Sequence, residues 1–330
     1  MAEAATEPRA FTSEDYWRRI FARNPDFCSW QSDRQNNVRA LVTERLNEVT
    51  GPLRVLDFGI GNLGLYRALD DGLMRRISLT GISESPQHRE DDPLLARYRI
   101  RVAIGAGLSP LESVADGSQN VVLCTYVLDY LDEPMRAAAL AAFARVLAPG
   151  GRLVLVLHHP RGERERKFRS AEPYWPIARA LYDRLVEGRF GQARRLLHTL
   201  NTFLSETFPA DPGFERYLAS YLKTATRFLA MFCADEAAAT PRPPIPEEAL
   251  VDCDAMRWLI DREWAMTCRA FRPIDDPGQT LRMPAELRLT DVVECIDPTR
   301  GFPIAHVLTA VGPDSIEARQ ASAIRVARRP

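Results

Sequence analysis

The chain has 330 residues, enough for about two domains or for one domain carrying a large insertion. It is 46% hydrophobic and 26% charged, the balance of a folded protein with material for a sizeable core. A formal net charge of -1 excludes a global field that would draw the chain to nucleic acid or acidic lipid.

Residues 1–12 read as a frayed tail with no basic region followed by an apolar run, so no secretory leader is expected. SEDYWRRIF, from Ser13, opens a helix with an N-cap and an acidic first turn. NVRALVTERLNEV, Asn37 to Val49, is apolar at helical spacing and stops at Gly51-Pro52. From there the pattern alternates. Strand 53–58 precedes a helix near 63–74, strand 77–83 a short helix near 91–98, and strand 100–104 a loop over 105–119. Strand 120–125 precedes the Ala-rich helix 133–147; APGG then turns the chain into the apolar strand RLVLVLHH. Such alternation predicts a parallel sheet with helices on both faces.

The alternation breaks at Pro160. Residues 161–283 read as helices (174–206, 214–238 and 246–271) separated by Pro-rich turns such as TPRPPIPEE. A strand pair returns in LRLTDVVECI and PIAHVLTAV, joined by DPTRGF, and the Arg-bearing end after 312 reads as an exposed tail. No apolar run approaches 18 residues, so no membrane span is expected. The cysteines (28, 124, 233, 253, 268 and 295) form no C-x-x-C pair, which argues against zinc and fits a reducing, cytoplasmic setting.

The chemistry starts at LRVLDFGIGNLGLY, Leu53 to Tyr66. Glycines 59, 61 and 64 have the G-x-G-x-x-G spacing of dinucleotide sites. Asp57, at the strand end, argues against a dinucleotide, because its carboxylate would repel a pyrophosphate seated on the glycine turn. A ligand carrying a sulfonium and an ammonium would be favoured by the same carboxylate. With RVLAPGGRLVLV and DGSQNVVLCTYVLDYLDEP, the stretch VLDFGIGNLG resembles the ordered motifs of class I S-adenosylmethionine-dependent methyltransferases, over roughly residues 37–160 plus the final strand pair.

The resemblance implies an α/β, Rossmann-like, doubly wound seven-stranded sheet whose last strand is antiparallel, with a helical insertion or lid between the fifth and sixth strands. It divides the chain into an N-terminal helical lid (1–50), a cofactor-binding domain (51–160 and 284–312), a helical insertion (161–283) and a tail (313–330). It also implies S-adenosyl-L-methionine as cofactor. Asp57, Gly59, Gly61, Asn62 and Gly64 would wrap the methionine part, and Ser83 and Glu84 would meet the ribose. Ala106 and Gly107 would flank the adenine, and Cys124, Thr125 and Tyr126 would lie near the sulfonium. The chain departs from the family pattern at Leu63, where glycine is usual, at Ser83, where the ribose-binding acid is usual, and at Asn120, where Asp is usual. The adenine-side acid has no equivalent in AIGAGLSP.

On the acceptor side His158 and His159 end the fifth strand, and alternation sends their rings to opposite faces. One of them is a candidate general base, and we take His158 as that residue and His159 as pocket lining. Tyr126 is a candidate catalytic wall of the pocket, with Tyr130 beside it. Asp129 reads either as a polar handle of that wall or as a helix cap. Tyr16 and Trp17, on the first helix, are expected to close over the ligand, where an aromatic face would attract a sulfonium. The aromatics of the insertion read chiefly as the core of a helical subdomain.

The expected function is methyl transfer to a small molecule, in a monomer or homodimer with no nucleic-acid, membrane or metal partner. Lysine occurs only at 167 and 223; this Arg-rich usage fits a GC-rich genome and bacterial natural-product metabolism. An alternative keeps the cofactor but cyclises its aminobutyrate arm to azetidine-2-carboxylate, releasing methylthioadenosine. A further alternative is a non-catalytic ligand-binding scaffold.

Overall fold

The computed structural model describes residues 12, 15–17, 19–20, 35–85, 87, 92–232, 245–298, 301–312 and 325–329. The expected N-cap at Ser13, residues 1–11 of the expected tail, Cys28 and Cys233 lie outside the described residues. The chain divides into two compact units: Met1–Pro25 with Lys167–Arg269, and Asp26–Arg166 with Ala270–Pro330.

The second unit is built on one sheet. Its strands are β1 (Leu53–Phe58), β2 (Ile77–Ser83), β3 (Arg99–Ile104), β4 (Gln119–Thr125), β5 (Leu147–His158), β6 (Arg288–Ile296), β7 (Pro303–Val311) and β8 (Arg325–Arg329). They lie in the order β3-β2-β1-β4-β5-β7-β6-β8. β7 alone runs against its neighbours β5 and β6. The seven strands expected from the sequence are thus present, with the last of them antiparallel. An eighth, β8, falls in the segment read as a tail and pairs parallel with β6. Its text, RVARR, has no apolar alternation to reveal a strand; the pairing is made by backbone groups, to which a composition-based reading is blind.

Central strands buried on both faces read as nearly continuous apolar runs, and β1 shows this in LRVLDF, where only Arg54 is exposed. One face packs Val55, Leu79, Val121, Val154 and Val156 against the helix Asn36–Asn47 and the segment Leu63–Met74. The other packs Leu56, Val122, Leu153 and Leu155 against Leu140 and Phe143 of the helix Glu133–Val146. That helix starts where Asp132 accepts the Met135 N–H at 2.9 Å.

Several boundaries differ from the sequence-based ones. The helix expected near 63–74 is two, Gly64–Arg67 and Asp71–Arg76, because Asp70 starts a new one by capping Leu73 N–H at 2.9 Å. The loop over 105–119 holds a short helix, Ser109–Glu112. The APGG turn belongs to β5, with Gly150 at φ +70°. In the helical unit the stretch 174–206 breaks at Gly188, φ +71°, into Tyr174–Val186 and Phe190–Thr207. The last helix, Glu247–Trp264, widens into a π-helical turn over Ala265–Ala270.

The helical unit has an aromatic core of its own. Tyr174, Trp175, Tyr182 and Tyr221 are fully buried. Two of the polar tips are satisfied, since Tyr174 donates to Leu218 O at 2.8 Å and Tyr182 donates to Tyr221 O, whereas Trp175 Nε1 has no hydrogen-bond partner among the described residues.

Leu63 shows how the sheet unit tolerates its missing glycine. It keeps the left-handed conformation, φ 63° and ψ 17°, and its side chain is fully buried in the core. A left-handed L-residue costs roughly 1–2 kcal/mol, which burial of a leucine offsets. Truncation should therefore invert the usual ranking of glycine and alanine. Both Leu63→Ala and Leu63→Gly should lose about 2–4 kcal/mol of unfolding free energy in urea titrations. Leu63→Gly should be the more stable of the two by about 1 kcal/mol, since it alone sheds the strain.

Candidate functional site

The strand order reverses between β1 and β4, the place where open α/β sheets bind ligands beyond the carboxyl ends of their strands. Register places those ends side by side: Phe58 pairs with Cys124, Thr125 with Val156. Asp57, Tyr126 and His158 therefore come from adjacent strands.

Past β1 the backbone turns sharply. Gly59 has φ +88°, and a Cβ there would sit 2.2 Å from Val127 Cγ2. Gly61 has φ +59°. The N–H groups of Gly59 and Ile60 donate to Ile82 O at 2.9 and 3.1 Å, folding the turn onto β2. Asn62 Oδ1 accepts the Gly64 N–H at 3.0 Å, which closes the loop as the next helix begins. The fingerprint residues Gly59, Gly61, Asn62 and Gly64 thus form one compact turn directly after Asp57.

Asp57 is 2% exposed. Tyr66 donates its hydroxyl to Asp57 Oδ2 at 2.8 Å, while Oδ1 is buried with no hydrogen-bond partner among the described residues. Burial pushes the carboxyl up from 3.8 to about 7, and the Tyr66 hydrogen bond partly opposes that rise. The thiol of Cys124, fully buried in β4, is pushed well up by burial first and then by Asp57 and Asp129.

At the end of β2 Ser83 is buried, and its hydroxyl donates to Ser85 O at 2.7 Å. Glu84 is exposed. Ser85, not singled out in the sequence, is buried with an unpartnered Oγ among the described residues. Gly105 N–H donates to Ser83 O at 3.0 Å, so Ala106 and Gly107, both exposed, follow directly beside the Ser83 end of β2. Thr125 closes β4 and is half-buried.

Tyr126 leaves β4 with φ +58°, held there by its N–H donating to Val156 O at 2.7 Å. Its hydroxyl donates to Gln35 Oε1 at 3.0 Å. A non-glycine residue in this region signals a constraint from its surroundings. Its ring lies 4.4 Å from that of His158. Tyr130 and Phe271 meet the same imidazole edge-on, at 6.1 and 5.2 Å. Tyr130 Oη accepts from Arg164 at 2.7 Å.

The residue that sequence reasoning missed is Asp129. It is fully buried in the 3-10 turn Leu128–Tyr130. Its Oδ2 accepts the His158 backbone N–H at 2.9 Å and faces His158 Nδ1 at 2.8 Å; its Oδ1 is buried without a partner among the described residues. The helix after it is capped by Asp132 instead. Only the spacing of an acid a few residues past β4 and a histidine at the end of β5 hinted at the pair, and that pairing depends on two strands lying side by side.

His159 points elsewhere, as alternation expects. Its ring lies 4.6 Å from His306, its Nε2 is 3.8 Å from Glu294, and its Nδ1 accepts the Arg161 N–H at 3.1 Å. Tyr16 and Trp17 belong to the helical unit. There Tyr16 donates its hydroxyl to buried Glu263 at 2.6 Å, and its ring meets Trp17 at 5.0 Å. Tyr217 donates to the other oxygen of Glu263.

Among the described residues no His, Cys, Asp and Glu gather into a metal-holding group, and no helix is long and apolar enough to cross a membrane. Cys124 and Cys253 are free thiols.

The raised pKa of Asp57 has a stability consequence. The folded state holds this proton where the unfolded chain has lost it, so Asp57 weakens the ligand-free fold progressively as pH rises from about 4 to about 7. Asp57→Asn should leave stability near wild type at pH 4 and raise it by roughly 1–3 kcal/mol at pH 8. Thermal unfolding at the two pH values tests this; a gain that is the same at both would place the effect outside the ionisation of Asp57.

Residues 56–155 match the family described as Methyltransferase domain. A comparison with curated protein sequences finds no match. Among solved structures the chain is similar to a Burkholderia thailandensis 1,6-didemethyltoxoflavin-N1-methyltransferase, at 13% identity over 92% of each chain and a TM-score of 0.41. It is similar to Haemonchus contortus phosphoethanolamine N-methyltransferase 2 at 15% identity, over 92% of this chain and 60% of that one, with a TM-score of 0.39. It is also similar to a chain in the Haloferax volcanii complex of the Trm112 methyltransferase activator with a methyltransferase, at 20% identity and a TM-score of 0.32. That match covers 45% of this chain and 61% of the other, so the chain spans about three fifths of the length of both of these last two relatives. Residues 56–155 thus match a methyltransferase family model, and the strand order is the one expected of the Rossmann-like methyltransferase fold.

Proposed function

We propose that this chain moves the methyl group of S-adenosylmethionine to a small-molecule acceptor. The observation that carries the reading is the Asp57 carboxylate, buried beside the glycine turn with one oxygen unpartnered among the described residues. A pyrophosphate would meet repulsion there. A ligand bearing an ammonium and a sulfonium would supply the missing positive partner, and the carboxyl would ionise on binding it.

In this reading Asp57, Gly59, Gly61, Asn62 and Gly64 hold the amino-acid end of the cofactor, and Gly59 and Gly61 let the backbone approach it. Ser83, Glu84 and the hydroxyl of Ser85, unpartnered among the described residues, serve the ribose. Ala106 and Gly107 border the base; Cys124, Thr125 and Tyr126 border the sulfonium. Bound there, the cofactor supplies a methyl group already activated by sulfonium, so the chain's own task is positioning and exclusion of water. The net charge of -1 supports a small acceptor over a nucleic acid. Bacterial secondary metabolism remains part of the proposal, resting on the Arg-rich composition.

Calorimetric titration with S-adenosylmethionine tests the reading. Below about pH 7 binding must remove the Asp57 proton, so affinity should climb towards tenfold per pH unit from about pH 5.5 to 7, with close to one proton released to the buffer. Asp57→Asn should weaken binding and flatten that dependence. Binding independent of pH in the wild type would remove Asp57 from the cofactor site. Mass spectrometry on the same mixtures, with no acceptor added, separates the alternatives: methylthioadenosine would replace methyl transfer by cyclisation, and absence of binding would leave a scaffold.

A further inference from the structure

The mechanism so far leaves one buried acid unused. Asp129 is sealed from solvent, and it spends one oxygen on two groups of a single residue, the backbone N–H and ring Nδ1 of His158. With Oδ2 as the acceptor of this contact the ring proton lies on Nδ1, which leaves the lone pair on Nε2. Among the described residues the hydrogen bonds of His158 to Asp129 are made by its backbone N–H and Nδ1, none by Nε2, and the side chain keeps 8% of its surface exposed. The imidazole is clamped on its other sides by Tyr126, Tyr130 and Phe271. It stands at the end of β5, where Val156 pairs with Thr125 of β4 and Cys124 pairs with Phe58 of β1, which places the pair at the same end of the sheet as Asp57.

Resting on the methyl-transfer reading, we propose that His158 Nε2 is the base that takes the acceptor's proton, and that Asp129 is the positioning residue that fixes its tautomer and aim. The acceptor is then a hydroxyl or an N–H group, which must lose a proton, and not a carboxylate, thioether or tertiary amine, which has none to give. The step balances. The acceptor's O–H or N–H bond breaks towards Nε2, its electron pair bonds the methyl carbon, and the carbon–sulfur bond breaks with both electrons left on sulfur. The products are the methylated acceptor, neutral S-adenosylhomocysteine and an imidazolium that returns its proton to solvent.

The groups facing this imidazole come from three segments: Asp129, Tyr126 and Tyr130 after β4, Arg164 after β5, and Phe271 before β6. Burial lowers the His158 pKa below its ordinary 6.5, Asp129 opposes that fall and Arg164 adds to it. The base is therefore unprotonated at neutral pH and fails as pH drops through this lowered value.

Two-bond proton–nitrogen spectra of histidine-labelled protein, with S-adenosylhomocysteine present and absent, test the assignment without an acceptor. The expected wild-type spectrum at pH 7.5 shows His158 protonated at Nδ1 and bare at Nε2. Asp129→Asn should lower the His158 titration midpoint further, by loss of the carboxylate charge, and Asp129→Glu should restore it. A wild-type Nε2–H tautomer, or a midpoint unmoved in Asp129→Asn, overturns the proposal; a role in packing alone would move neither. Calorimetry on the same samples keeps the two readings apart. His158→Gln should bind S-adenosylmethionine within about threefold of wild type while turnover falls on the order of 10²–10⁴-fold. Failure of wild type to bind would sink the methyl-transfer reading whatever the tautomer. Label from methyl-labelled cofactor found on a carboxylate, thioether or tertiary amine overturns the acceptor class.

Discussion

Two carboxylates buried at the carboxyl ends of neighbouring strands are the constraint on which this site depends. A buried carboxyl keeps its charge only if something positive or hydrogen-bonding replaces the lost water. Asp57 and Asp129 each have one oxygen served and one unpartnered among the described residues. For Asp57 the help from Tyr66 is insufficient, and the group is left poised near neutrality. Asp129 meets the backbone N–H and the ring Nδ1 of one histidine instead. One acid is thereby left with an oxygen open to the cationic ligand proposed above, and the other holds the imidazole of His158.

The sheet makes this arrangement inexpensive. Parallel strands bring their ends into register, so residues separated by tens of positions share one edge without any long loop. Alternation along β5 then sorts two consecutive histidines: His158 joins Asp129 and Tyr126, while His159 joins His306 and Glu294 across β7 and β6. The tight approach at the glycine turn is equally a matter of packing. Val127 occupies the space a side chain at position 59 would need, and Ile60 fills the space beside Gly81.

The departures from the family pattern acquire physical explanations in this setting. At Leu63 the backbone keeps the conformation that glycine would favour, and the leucine is retained because its side chain fills the core. At Asn120 an amide replaces the usual acid, and it ties β4 to the start of β1: its Oδ1 accepts the Arg54 N–H at 2.7 Å, and its Nδ2 donates to Pro52 O at 2.9 Å. The role is structural, and it lies at the opposite end of the strands from Asp57.

What the sequence by itself determined follows from periodicity and local chemistry. Continuous apolar runs marked β1, β4 and β5 because strands covered on both faces have no polar side to show. The Asp57–Gly64 turn was legible because glycines at that spacing and an acid at a strand end carry their meaning within a few residues. Tertiary structure alone decided the rest. The Asp129–His158 pair, the Tyr66 hold on Asp57 and the unpartnered Ser85 hydroxyl arise from neighbours that chain order does not reveal. The strand β8 was invisible for a related reason, since backbone pairing with β6 leaves no trace in side-chain pattern. Local pattern reports what a segment buries; it does not report which partner it is buried against, and that is where both acids obtained their roles.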